Sequence, residues 1–185
     1  MKITSSLIAL ALLIGVGLPA TARAGTITGD TVTWQYYSYG GAYNGASSFT
    51  APCGACANFD GYFEIQTTAN TVTFNYSGYD GTDTWSTSSL SLGPDIYNGI
   101  DLLFSSALTS VSIDPATNMA GFNLSDLYFS GNQIEVNWAD LPFNSNTIVT
   151  LDVDGSAATP EPGSLMLLGT GLLAGVGVLR RKLGR

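Results

Sequence analysis

A C-x-x-C formed by Cys53 and Cys56, three short groups of acids and a run of tyrosines are the residues of this chain whose types and spacing can do chemistry. A C-x-x-C works as a redox pair when it opens a helix after a strand, because the helix N-terminus lowers the first thiol's pKa. Here "ANFDGYF" follows, which reads as a turn into a strand. Zinc needs four ligands, and there is no further Cys and no His. The reading that is left is a small structural disulfide clipping a Gly-rich loop in an oxidising compartment. The acids stand in "DGTD" (Asp80, Asp83), "DIYNGID" (Asp95, Asn98, Asp101) and "DVDG" (Asp152, Asp154). Such oxygens suit Ca²⁺. None of the groups has EF-hand spacing, however, and Asp in a turn more often caps its own backbone. Asp80 and Asp83 are the preferred calcium ligands, since Gly81 lets the chain curl both carboxylates round one ion; no other cofactor is expected. Two carboxylates can form a glycosidase pair, but no pair is brought together by spacing, and no catalytic residue is assigned. Tyr36, Tyr37, Tyr39 and Tyr43 suit either core packing with loop filling, the preferred reading, or a stiff amphipathic face for sugar rings.

The charges exclude more than the motifs suggest. All six basic residues, Lys2, Arg23, Arg180, Arg181, Lys182 and Arg185, lie near the two ends, and residues 25–159 hold 13 acids and no Lys, Arg or His. A body without cations cannot neutralise phosphates, which removes nucleic acid as a partner. Without His there is no Ser-His-Asp or Cys-His catalysis and no imidazole metal site. An acidic surface of this kind repels anionic polysaccharide and anionic membrane unless divalent ions intervene. The plainer consequence is solubility.

The body must position whatever these residues do, and it reads as all-β. All 20 aromatic residues fall inside it. In "TVTWQYY", Val32, Trp34 and Tyr36 alternate with polar residues, and Val72, Phe74 and Tyr76 do the same in "NTVTFNYS". Similar patterns occur in "YFEIQT", "TSVSID", "QIEVNWA" and "TIVTLDV", separated by Gly/Asn/Asp turns. In the ambiguous "GIDLLFSSALTS", Ile100, Leu102 and Phe104 favour a strand. The stretch 39–61 reads as one long loop. Short strands at this spacing predict a single antiparallel β-sandwich or jelly-roll-like domain over residues 25–155.

The ends read as targeting segments. Lys2, an apolar run from Leu7 to Leu18 and Ala22-Arg23-Ala24 have the three-part layout of a secretory signal, residues 1–24, cleaved before Gly25. Residues 156–163 form an extended linker containing Pro160-Glu161-Pro162. Residues 164–185 hold a 16-residue apolar run and then the basic cluster Arg180-Arg181-Lys182. As a helix that run reaches only ~24 Å, short of a hydrocarbon core of ~30 Å. The order of tripeptide, apolar helix and basic cluster resembles the PEP-CTERM family of exported bacterial proteins, over about the last 26 residues of the chain. The resemblance implies a Gram-negative bacterium and an exosortase that recognises Pro160-Glu161-Pro162 in the inner membrane. It also implies transient anchoring through the tail helix, then release to the cell surface or extracellular matrix. The Lys182-Leu-Gly-Arg ending departs from an uninterrupted arginine run. The expected function is an exported structural component of surface or matrix, without enzymatic activity. The alternative is a calcium-dependent carbohydrate-binding module of an exopolysaccharide matrix.

Overall fold

The computed structural model describes residues 25–39, 41–43, 45–87 and 98–155. The expected signal helix, linker and tail helix lie outside these residues, as does Asp95. Strands form where side chains alternate, because successive residues of an extended chain point to opposite faces. In β1 (Thr31–Ser38) Val32, Trp34 and Tyr36 are buried, whereas Thr33 and Gln35 are only half-buried. The same period orders β5 (Phe63–Thr67), β6 (Thr71–Asn75), β8 (Asn98–Phe104) and much of β13 (Ile148–Gly155).

These strands build two antiparallel sheets. One runs β10 (Leu127–Ser130), β11 (Gln133–Asn137), β8, β1, β2 (Gly41–Ala42), with β3 (Ser47–Thr50) also paired to β1. The other runs β4 (Cys53–Phe59), β5, β6, β13, β9 (Leu108–Ile113). A two-stranded ribbon, β7 (Thr82–Thr84) with β12 (Pro142–Asn144), stands apart from both. The inner faces share one core, in which Trp34 meets Phe59 edge-on and Phe63 and Phe74 pack on Trp138. The architecture is thus an all-β sandwich. Its strands β4, β5 and β6 follow one another as a meander in one sheet, while crossovers place β13 between β6 and β9 and β8 between β11 and β1. Among the described residues the single helical turn is Leu124–Asp126, capped by Asn123, and no helix is long and apolar enough to cross a membrane.

One expectation is corrected. The stretch 39–61 is no long loop, for it contains β2, β3 and β4. Most of β3 is exposed and β4 is interrupted by a register shift between Cys53 and Ala57. Strands recruited by main-chain pairing to β1 and β5 need no buried face, so hydrophobic alternation does not reveal them. "GIDLLFSSALTS", by contrast, forms β8 and the start of β9, as its alternation predicts.

The two chain exits lie together. The Gly155 amide donates to the Gly25 carbonyl at 2.9 Å, so the segments before residue 25 and after residue 155 leave from one pole. β1, β4 and β11 run away from that pole and β5, β8 and β13 return to it, as their registers require. At ~3.3 Å per residue, the eight residues of β1 put Ser38 roughly 20–25 Å from Thr31, at the opposite pole.

Candidate functional site

That opposite pole carries an aromatic cleft of about 200 Å³. Its base is built from buried rings of three elements: Tyr36 on β1, Phe59 at the end of β4, and Trp85 just after β7. Tyr36 and Phe59 stack at 3.9 Å between ring centroids, and Trp85 lies 5.7 Å from Tyr36. Hydrogen bonds hold these rings in place. The Tyr36 hydroxyl donates to Asn98 Oδ1 at 2.8 Å, and Asn98 Nδ2 donates to the Ser86 carbonyl at 2.7 Å and to Ser86 Oγ at 2.8 Å. Trp85 Nε1 donates to the Tyr76 hydroxyl at 3.3 Å, while the Trp85 amide donates to the Leu141 carbonyl at 3.0 Å. Burial pushes the phenols of Tyr36 and Tyr76 far above the usual tyrosine range, reinforced at Tyr36 by its tyrosine neighbours and opposed at Tyr76 by the Trp85 bond. Both stay neutral at any physiological pH.

Over this base stand exposed rings. Tyr43 is 55% exposed and meets Tyr36 and Phe59 at near-perpendicular to steep angles. Tyr39 is 81% exposed. It follows Ser38, which pairs with Gly41, at a hairpin position where Asn or Asp normally supplies the positive φ. Tyr39 has φ 51°, a left-handed conformation that costs an L-residue about 1–2 kcal/mol. A bulky ring held there against solvent gains no burial in return.

The rim is polar, with Ser38, Asp83, Thr84 and Ser86. Asp83 Oδ2 accepts from the Tyr79 hydroxyl at 3.1 Å and Oδ1 from the Thr84 amide at 2.8 Å. Tyr79 is in turn raised, by desolvation first and then by Asp83.

The structure sorts the residues singled out by sequence. Tyr36, Tyr39, Tyr43, Asp83 and Asn98 converge on the cleft; Tyr37, one residue out of phase on β1, lies on the other face. Asp80 is exposed beside Gly81, and among the described residues no group of three or more His, Cys, Asp or Glu side chains is arranged to hold a metal. Asn98 and Asp101 point to opposite faces of β8, three residues apart in a strand. Asp152 and Asp154 share the outer face of β13, where Asp154 accepts from Ser110 Oγ at 2.7 Å. Cys53 and Cys56 are joined in a disulfide within β4. The residues between them carry the register shift of this edge strand, and such a bulge blunts an open edge. Sequence reasoning missed Phe59, Tyr62, Trp85 and Phe143 as cleft residues, and spacing holds no signal for them, because each comes from a different element. It also missed Glu135, only 1% exposed, which with Asp101 shares Gln133 Nε2 at 2.9 and 3.1 Å on the outer face of the first sheet.

An all-β sandwich with an aromatic cleft at one pole and residues 25 and 155 together at the other is the class of protein this geometry describes. Residues 158–182 match the PEP-CTERM protein-sorting motif. The match covers Pro160-Glu161-Pro162 and Arg180-Arg181-Lys182 and implies an exported protein that transits the membrane and is processed by an exosortase. No curated protein and no solved structure matches the chain.

Proposed function

We propose that this protein is a structural component of the cell surface or extracellular matrix of a Gram-negative bacterium, acting by display and cohesion and catalysing nothing. The observation that carries the reading is the sorting motif at residues 158–182, attached to a β-sandwich whose acids have no basic counterpart. The shared exit pole supports it, since a precursor held by its signal or its tail presents the aromatic pole away from the bilayer. The signal is removed before Gly25, and the tail helix anchors the chain only until the exosortase acts. The test is mass spectrometry of protein recovered from the surface and medium, with and without the exosortase. Mature protein should begin at Gly25 and yield no peptides beyond about residue 162. A tail retained in surface protein would sink the sorting reading and leave a permanent anchor.

A second reading, a calcium-dependent carbohydrate-binding module, is favoured by one observation: Asp83 lines the aromatic cleft. Extracellular calcium sites have Kd around ~10⁻⁴–10⁻³ M, so calorimetry with millimolar CaCl₂ against NaCl of matched ionic strength separates the two. Heat and a rise in Tm seen with calcium alone, and lost in Asp80→Asn/Asp83→Asn, would favour this second reading.

A further inference from the structure

We infer that the aromatic cleft binds uncharged hexopyranose residues of a polysaccharide, with Tyr39 and Tyr43 supplying the stacking faces. The inference deepens the matrix reading and rests on it only for where the polymer is met. The first support is Tyr39 itself. The fold holds a bulky residue in a left-handed conformation at a hairpin tip, leaves its ring in solvent, and aims it at a cleft. Strain concentrated beside a cavity is a mark of function, and Asn at this position would remove it.

The second support is chemical fit. A pyranose has C–H groups on its faces and hydroxyls round its edge. The faces suit the negative π surface of an aromatic ring, and the edge suits the hydroxyls of Ser38, Thr84 and Ser86 and the Asp83 carboxylate. Volume limits the ligand further. About 200 Å³ is less than the ~300–1,000 Å³ that encloses a drug-sized molecule, so the cleft takes about one ring and leaves the rest of a polymer outside.

Charge then chooses among polymers. With 13 acids and no base in residues 25–159, the surface repels polyanions. A cation is not repelled by the same surface, so choline is the competitor that separates the two ligand classes. Asp83, whose oxygens each accept one hydrogen bond, keeps lone pairs for a sugar hydroxyl. The buried base is locked by Asn98, Tyr76 and the Leu141 carbonyl, so little ordering opposes binding.

The test is affinity electrophoresis of the full chain in a non-glycosidic zwitterionic detergent, through gels containing hydroxyethylcellulose, dextran or galactomannan. Alginate gels serve as the polyanion comparison and free choline as the cationic competitor. Retardation by at least one neutral polymer is expected. Tyr39→Asn should weaken it about tenfold, equivalent to about 1.4 kcal/mol, while leaving Tm unchanged or higher. Tyr43→Ala should weaken it similarly. No retardation by any neutral polymer, retardation by alginate alone, or displacement by choline would each overturn the proposal. Retardation that survives both substitutions would also overturn it, by moving the sugar elsewhere. Location at the surface is read separately by fractionation, so failure of glycan binding and failure of the matrix reading are distinguishable.

Discussion

Raising pH should unfold this domain through two tyrosines. Tyr36 is 2% exposed, and Tyr76 is fully buried. Burial holds both phenols far above the ordinary range, with the Tyr36 hydroxyl tied to Asn98. In the unfolded chain they ionise near pH ~10. The sign follows from linkage: the folded state keeps protons that the unfolded state releases, so the stability these groups contribute is complete below pH ~10 and is lost as pH rises above it. Each phenol contributes a slope of about 1.4 kcal/mol per pH unit, so two give about 2.7. Summed from pH ~10 to ~11.5, with the slope only half developed at the start, the loss is about 3 kcal/mol. Domains have only about 5–15 kcal/mol to lose. Residues 25–159 contain no Lys or Arg, so no basic side chain of the body clouds the measurement. Urea unfolding at closely spaced pH values, with tyrosinate absorbance read in parallel, measures the slope. Tyr36→Phe should halve it, although the variant leaves Asn98 Oδ1 without its donor and costs about 1–3 kcal/mol at neutral pH. A flat stability profile to pH ~11.5, or a slope unchanged in Tyr36→Phe, would refute the burial argument.

Other outcomes follow from single contacts. Gly155→Ala should lower Tm and cost about 1–3 kcal/mol, because a Cβ there would sit 2.6 Å from the Thr26 carbonyl oxygen, which is backbone and cannot yield; an unchanged Tm would mean that the exit pole is looser than described. Non-reducing digestion should recover Cys53 linked to Cys56, and Cys53→Ser/Cys56→Ser should lose less than the ~3 kcal/mol of a 15-residue loop and leave no insulin-reducing activity to compare. Burial raises the pKa of Asp101 against the opposing bond from Gln133, so the folded state binds that proton more tightly and gains stability as pH falls through the folded value. Asp101→Asn should reduce this gain in acid denaturation profiles; an identical profile would show that Asp101 is solvated as in the unfolded chain.

Period-two alternation was enough to locate β1, β5, β6, β8 and β13, because each has one face in the core and burial leaves a mark on residue type. Among the strands that alternation did not reveal, β2, β3 and β4 pair through their main chains at sheet edges, where Ser, Gly and Ala serve as well as Val or Ile, and β7, β10 and β12 are only three or four residues long. The four tyrosines were visible as a group, yet a strand sends alternate residues to opposite faces, and the sheet partners decide which of Tyr36 and Tyr37 meets the core.

By itself the sequence determined the export address, since a sorting motif is read as a linear string by enzymes that never see the fold. It determined the absence of cationic and imidazole chemistry in the body as well, because no fold can supply a missing side chain. Only the tertiary structure decided that Asp83 joins Tyr39 and Tyr43, and that Trp85 and Phe143 complete their cleft. These residues come from separate segments of the chain, and their meeting depends on strand order and register, which arise from contacts between segments that no local pattern records.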